Sequence, residues 1–193
     1  VNDILEPTDA ESRLRETGIN LEKIAYVKAD LTRVAEVDAL VKSARDKFGP
    51  IHTALCHIGM VIVKPLLEFS RDEWEQTMDV NVKTAFLLGK AAAGAMLEDK
   101  VAGHLIFTVS WVADVPWPEI GAYNASKAAM KQLMRSFARE LADQGIRANA
   151  IAPGIVSVGL AQRQWDTDLI YRARAQKAIP LGYMQPLESV ANA

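Results

Sequence analysis

Short apolar runs at residues 24–29, 51–56, 104–109 and 146–152 alternate along the chain with longer stretches whose apolar residues recur every three or four positions. The runs have the length of strands and are too short for helices, and their near-continuous apolarity suits strands covered on both faces. The stretches between them read as amphipathic helices. Val34, Val37, Val41, Ala44 and Phe48 fall on one face of the first, and Trp74, Met78, Val82, Phe86 and Gly89 on one face of the second. A third runs from Ala122 to Gln144 and ends at Gly145. Alternation of this kind places helices on both sides of a parallel sheet, so the expected fold class is α/β, a three-layer doubly wound parallel sheet. No repeat divides the pattern, and residues 1–193 are expected to form a single domain.

End signals fall where these helices need them. Ser70 and Glu73 make the reciprocal capping pattern, Thr32 is placed to accept from the first free amides of the 34–48 helix, and Gly49-Pro50 stops that helix. Residues 1–4 look like the end of a strand, and 7–18 like a polar helix closed by Gly18. With half of its 193 residues hydrophobic, the chain is long enough to bury a sizeable core. Its 22 basic and 24 acidic residues leave a formal charge of −2, which gives no electrostatic handle to a nucleic acid or an anionic membrane, and neither is expected as a partner. Cys56 is the only cysteine, which excludes an intrachain disulfide and a cysteine-based metal cluster and suits a reducing, cytoplasmic setting. No run reaches the ~18–20 apolar residues of a membrane span, and the amino terminus carries no basic-then-apolar signal pattern, so a soluble, unexported protein is expected.

Tyr123 and Lys127 stand four apart in Gly121-Ala122-Tyr123-Asn124-Ala125-Ser126-Lys127-Ala128, a run rich in helix formers, so a helix stacks their side chains on one face. A free phenol titrates near pH ~10 and is a poor proton donor or acceptor at neutral pH; a fixed ammonium beside it favours the phenolate and makes it a general acid/base. Ser110, after the 104–109 run, adds a hydroxyl able to steady a carbonyl or alcohol oxygen. The spacing alone also fits a solvated helix face carrying an aromatic and a lysine.

Taken with Asn81 in Asp79-Val80-Asn81-Val82 and with Asn149-Ala150-Ile151-Ala152-Pro153-Gly154, these residues resemble the short-chain dehydrogenase/reductase family over essentially the whole chain. The resemblance implies a Rossmann-type dinucleotide-binding domain and a catalytic set of Asn81, Ser110, Tyr123 and Lys127. It also implies cofactor contacts from Gly59, Pro153 and Gly154 together with Tyr123 and Lys127, the lysine binding the nicotinamide ribose. Asn81 is then the residue that kinks its helix and holds a water on a proton path from the lysine. Asp3 falls where the family takes the adenosine ribose hydroxyls, which favours NAD and leaves NADP possible; it also reads as a loop aspartate capping the next turn. Asp30 matches the aspartate beside the adenine, or is an ordinary helix-start acid.

The chain departs from the family pattern in three places. Cys56-His57-Ile58-Gly59 replaces Asn-Asn-Ala-Gly and keeps only the glycine that lets backbone approach the adenosine half of the cofactor. His57, with no second ligand near it, reads as a hydrogen-bonding loop residue. Val158 occupies the place of a threonine that bonds the nicotinamide amide, and Ser157 is the nearest replacement. None of the 11 glycines forms the turn that cradles a pyrophosphate. The family's first strand-helix unit and last strand are thus missing from residues 1–193, and unpaired strand edges are expected where they would pack. That gap keeps a second reading open, a non-catalytic truncated remnant acting only in self- or partner association.

Residues 155–180 lose regular periodicity, and the resemblance makes them a mobile lid over a small-molecule alcohol or ketone. Arg163, Arg172 and Arg174 with Trp111, Trp117 and Trp165 can stack on a ring while cations hold its polar edges, which favours a sugar-like or polyol substrate. The same arginines suit a solvated helix face. Ala91, Ala92, Ala93 and Gly94 permit close helix contact, and the resemblance implies a homodimer or homotetramer built on helices 71–97 and 122–144.

Overall fold

The computed structural model describes all 193 residues. Strands and helices alternate as β1 (Asn2–Asp3), α1 (Pro7–Glu16), β2 (Val27–Lys28), α2 (Val34–Phe48), β3 (Thr53–Cys56), α3 (Arg71–Met78), α4 (Thr84–Glu98), β4 (His104–Thr108), α5 (Gly121–Glu140), β5 (Arg147–Ile151), α6 (Gly159–Thr167), α7 (Leu169–Ala178) and α8 (Leu187–Ala191). Every strand pair is parallel, which is the α/β architecture the alternation implies. The strands form two sheets, however, β1–β2 and β3–β4–β5. β1 and β3 each keep an unpaired edge, and Leu55 on β3 is half exposed beside it. The apolar run 24–29 is strand only at Val27–Lys28, because its partner β1 is two residues long. Upstream, Tyr26 fastens the segment instead, its hydroxyl donating to the carbonyls of Leu5 at 2.7 Å and Asp3 at 3.0 Å.

The main core lies between β3–β4–β5 and the helices α4 and α5, where Met96, Leu105, Phe107, Met130 and Ile146 are closed to solvent. Burial of side chains this size stabilises by about 1.5–3 kcal/mol each. Phe107 stacks on Phe137 with ring centroids 5.8 Å apart. Gly89 permits that packing, since a Cβ there would stand 3.0 Å from the Phe137 ring. Only the middle of the expected α2 stripe is buried: Val37 and Val41 face inward, while Val34 and Phe48 at the ends project past the neighbouring α4 into solvent. Ala92 and Ala93 are core residues turned to their own sheet, so of the small residues expected on an outer face Gly94 is the one with open space around it.

Capping follows the sequence at Ser70, whose hydroxyl accepts from Glu73 N at 3.2 Å while Glu73 Oε2 accepts from Ser70 N at 2.8 Å. It fails at Thr32, whose hydroxyl donates to Asp30 Oδ1 at 2.7 Å, leaving α2 without a side-chain cap. The segment expected as one long helix is interrupted by a π-turn at Asp79–Lys83 between α3 and α4. Residues 155–180, expected to be irregular, contain α6 and α7. Only Tyr171 and Ala175 of α7 are buried and Leu169 and Ile170 are exposed, so no apolar stripe marks this helix in the sequence.

Candidate active site

Ser110 follows the carboxyl end of β4, where open α/β sheets expose their chemistry. The next residue is tied to the end of β5 by Trp111 N donating to Pro153 O at 3.1 Å, which brings the Pro153-Gly154 turn beside the serine. Helix α5 starts at Gly121 and carries Tyr123 and Lys127 on its sheet-facing side. The lysine is buried, its Nζ donating to Thr108 O at 2.9 Å and lying 5.5 Å from the Tyr123 ring centroid. Ser110, Tyr123, Lys127, Gly59, Pro153 and Gly154 line one cavity of about 360 Å³.

Asn81 stands directly behind that cavity and is wholly buried. The π-turn widens the helix where it sits, and such bulges commonly re-aim a functional side chain. Its amide donates to Met60 O at 3.0 Å and to Ser126 Oγ at 2.8 Å, and its Oδ1 accepts from Met60 N at 2.7 Å. Ser126 in turn donates to Tyr123 O at 2.8 Å. A chain of hydrogen bonds thus runs from the Gly59-Met60 loop to the backbone of Tyr123, and Asn81 sits within the π-turn that interrupts the helix.

Charge states differ from the simplest expectation. Burial pushes the Tyr123 phenol above its ordinary value, and a weaker pull from the Ser110 hydroxyl opposes that. Desolvation is thus the larger influence on the phenol, and the lysine ammonium is turned to a carbonyl and the ring face. Lys127 is itself brought down to about 8 by burial.

Asp3 and Asp30 do not line this cavity. Asp3 Oδ1 accepts from Ile4 N at 2.7 Å and Leu5 N at 3.3 Å, the turn-capping geometry, with the carboxylate exposed. Asp30 is held below the usual carboxylate range, first by the Thr32 hydroxyl and then by the Thr32 amide. His57 is the loop histidine expected, its Nδ1 3.0 Å from Thr108 Oγ1, and no cluster of metal-ligating side chains is present. Ser157 is engaged by Gln185 O at 3.2 Å and stays out of the cavity, where Val158 faces instead. Of the aromatic and cationic residues singled out in the sequence, Trp111, Trp117 and Arg174 reach the clefts, whereas Arg163, Arg172 and Trp165 do not. The Arg172 guanidinium bonds Trp165 O at 2.6 Å and covers that ring.

Three contributors were not singled out in the sequence, two of them for want of any readable signal. Met60 acts through its backbone, and Tyr171 lies on a helix without periodicity yet packs its ring on Trp117 at 5.9 Å. Ser126 was in view, three residues past Tyr123 and so on the same helix face, but its partner Asn81 is distant in sequence.

A family model described as enoyl-(acyl carrier protein) reductase matches residues 4–193, and over 169 residues the chain is 35% identical to 3beta-hydroxysteroid dehydrogenase 1 of Eggerthella lenta, covering 88% of this chain and 64% of that protein. The chain belongs to the short-chain dehydrogenase/reductase family. Another relative, glucose 1-dehydrogenase 2 of Bacillus subtilis, is 32% identical over 158 residues, which make up 81% of this chain and 61% of the relative. The solved structure of gox2181 superposes with a TM-score of 0.88 at 28% identity, over 99% of this chain and 74% of that one. This short-chain dehydrogenase/reductase chain thus spans a little under two thirds of the length of both curated relatives.

Proposed function

We propose that this protein is an NAD(P)-dependent oxidoreductase that interconverts a secondary alcohol and a ketone. The observation that carries this is the convergence of Ser110, Tyr123 and Lys127 on one cavity edged by Gly59 and Gly154. The residues present fit the nicotinamide end of a dinucleotide. A Cβ at Gly59 would stand 3.4 Å from both Asn81 Oδ1 and Lys127 Nζ, so bare backbone keeps that space open beside the lysine. Gly59, Pro153, Gly154 and Lys127 would hold the cofactor, and Asp3 keeps one carboxylate oxygen outside its turn for ribose hydroxyls, which favours NAD. When bound, the dinucleotide supplies the acceptor or donor of hydride.

Tyr123 moves the proton: in reduction its phenol gives a proton to the carbonyl oxygen and is left as phenolate, and in oxidation that phenolate, once the phenol's own proton has passed to solvent, takes the proton from the alcohol. Ser110 donates to the same substrate oxygen and holds it against the phenol. Lys127, charged at neutral pH, stabilises the phenolate as it forms, and Asn81 holds the loop and helix in register and supports a water relay from the lysine. Helices α6 and α7 act as the lid of this domain, and α4 and α5 as its self-association face.

Arg163 and Trp165 face neither cleft, which removes the main support for a sugar or polyol. Trp111, Trp117, Ile120 and Tyr171 wall the space at Tyr123 and suit a ring-bearing alcohol. Tyr123→Phe in the full protein is expected to lower turnover by at least about a hundredfold while leaving the fold and NADH fluorescence titration unchanged. Wild-type turnover in that variant would refute the assignment.

A further inference from the structure

The cavity at Tyr123 adjoins a second one of about 410 Å³, with Val61, Trp117, Ile120, Tyr123, Ala161 and Tyr171 lining both. Its near walls continue the apolar lining through Val63, Leu160 and Ile170. Its polar groups are Glu119, Gln164, Asp168 and Arg174. Asp168 is already committed, Oδ1 accepting from Ile170 N at 2.9 Å and Tyr171 N at 3.0 Å at the start of α7. The Gln164 side-chain amide makes no hydrogen bond within the chain. Arg174 has a single one, Nη1 to Glu119 Oε2 at 3.2 Å, which leaves the rest of its five-donor fork unused.

This guanidinium is also oriented. It lies 5.7 Å from the Trp117 ring centroid, and Trp117 is clamped edge-on between Trp111 at 5.6 Å and Tyr171 at 5.9 Å. Glu119 is fixed by its backbone, with φ of 65° and its carbonyl accepting from Lys64 N at 2.7 Å. A long, half-exposed ion pair held from both sides contributes little stability by itself. Its geometry suits insertion of a third group that accepts from Arg174 and donates to Glu119.

We infer that Arg174 and Glu119 together form a specificity site for the far end of the substrate, and that this end carries a neutral hydroxyl. The inference rests on the reading of the Tyr123 cavity as an alcohol site. A hydroxyl satisfies both partners through one oxygen, because it accepts from the guanidinium and donates to the carboxylate. A carboxylate at that position would meet Glu119 and Asp168, which outnumber the one arginine. The substrate class is thus a secondary alcohol, or its ketone, with an apolar ring body and a second, neutral hydroxyl remote from the reacting carbon.

Calorimetric titration of the protein with 4-phenylcyclohexanol, 4-(4-hydroxyphenyl)cyclohexanol and 4-(4-carboxyphenyl)cyclohexanol tests this without requiring turnover. The hydroxyphenyl compound is expected to bind about tenfold more tightly than the phenyl compound, the effect of one hydrogen bond to a charged group, and the carboxyphenyl compound more weakly than the hydroxyphenyl one. Arg174→Met should lower the hydroxyphenyl-to-phenyl ratio severalfold, Arg174→Lys should retain more of it, and Glu119→Gln should improve the carboxylate. A wild-type ratio of one, a ratio that survives in Arg174→Met, tightest binding of the carboxylate, or no binding of any of the three overturns the inference. Failure of the oxidoreductase reading would show separately, as selective binding of the hydroxyphenyl compound with no Tyr123-dependent reduction of NAD.

Discussion

Replacing Lys127 by Met keeps the stem of the side chain and removes a buried ammonium, and its effect on stability is predicted to depend on pH. Burial lowers this lysine from 10.5 in the unfolded chain to about 8 in the folded one. Between those values the unfolded chain binds more protons than the folded one, so this residue makes the wild type more stable as pH rises. Below the folded value the full penalty applies, about 3 kcal/mol, offset in part by the charged hydrogen bond from Nζ to Thr108 O. Lys127→Met is therefore expected to be more stable than wild type by about 1–2 kcal/mol near pH 7, and the difference to shift by about 2 kcal/mol in favour of the wild type by about pH 9.5, which removes or reverses it. Tyr123, raised in the folded state, loses stability above its ordinary value, but it is present in both proteins and cancels in the comparison. Urea denaturation of the pair at the two pH values reads the difference directly. A stability gap that stays constant with pH, or widens in favour of the variant, would refute the claim that an ammonium is held against its desolvation at this site.

Asn81→Ala strips the partners from Met60 N, Met60 O and Ser126 Oγ in a closed interior and should cost about 3 kcal/mol in urea denaturation; a cost below about 1 kcal/mol would mean water replaces the amide. Gly103→Ala drives a Cβ to 2.3 Å from Met96 Sδ in the core and should destabilise by about 1–3 kcal/mol, read as a lowered Tm, whereas Gly94→Ala, with open space around it, should not. Cys56 is buried with its thiol pushed up to about 12, so iodoacetamide at neutral pH should label it only as fast as the protein unfolds. Light scattering at micromolar concentration is expected to show at least a dimer, and a stable monomer would remove the α4–α5 association surface.

What was legible in the sequence is what depends on neighbours along the chain. The runs that became β3, β4 and β5 were placed to within two residues because their apolarity is local, and Ser70 with Glu73 signalled a cap that both side chains complete. Helix α7 escaped because a helix that buries only Tyr171 and Ala175 writes no stripe. The division into two sheets escaped because pairing is a property of strands far apart in the chain.

The site divides along the same line, and the division explains why a motif identifies chemistry more readily than it fixes a charge state. Tyr123, Lys127 and Ser126 share one helix face, so their proximity follows from spacing alone. Whether the lysine lowers the tyrosine depends on where Nζ points and how much water is excluded, and both are set by β4 and the Gly59-Met60 loop. Thr108 O holds the ammonium at 2.9 Å, and burial raises one group and lowers the other. The two shifts move apart the proton affinities of a tyrosine and a lysine that are similar in water, so at neutral pH the phenol keeps its proton and can donate it to a carbonyl oxygen, while the buried ammonium beside it favours the phenolate that remains. Desolvation, the effect that opposed the simplest expectation from the motif, thus sets the resting pair as phenol and ammonium, and oxidation of an alcohol requires the phenol first to lose its proton.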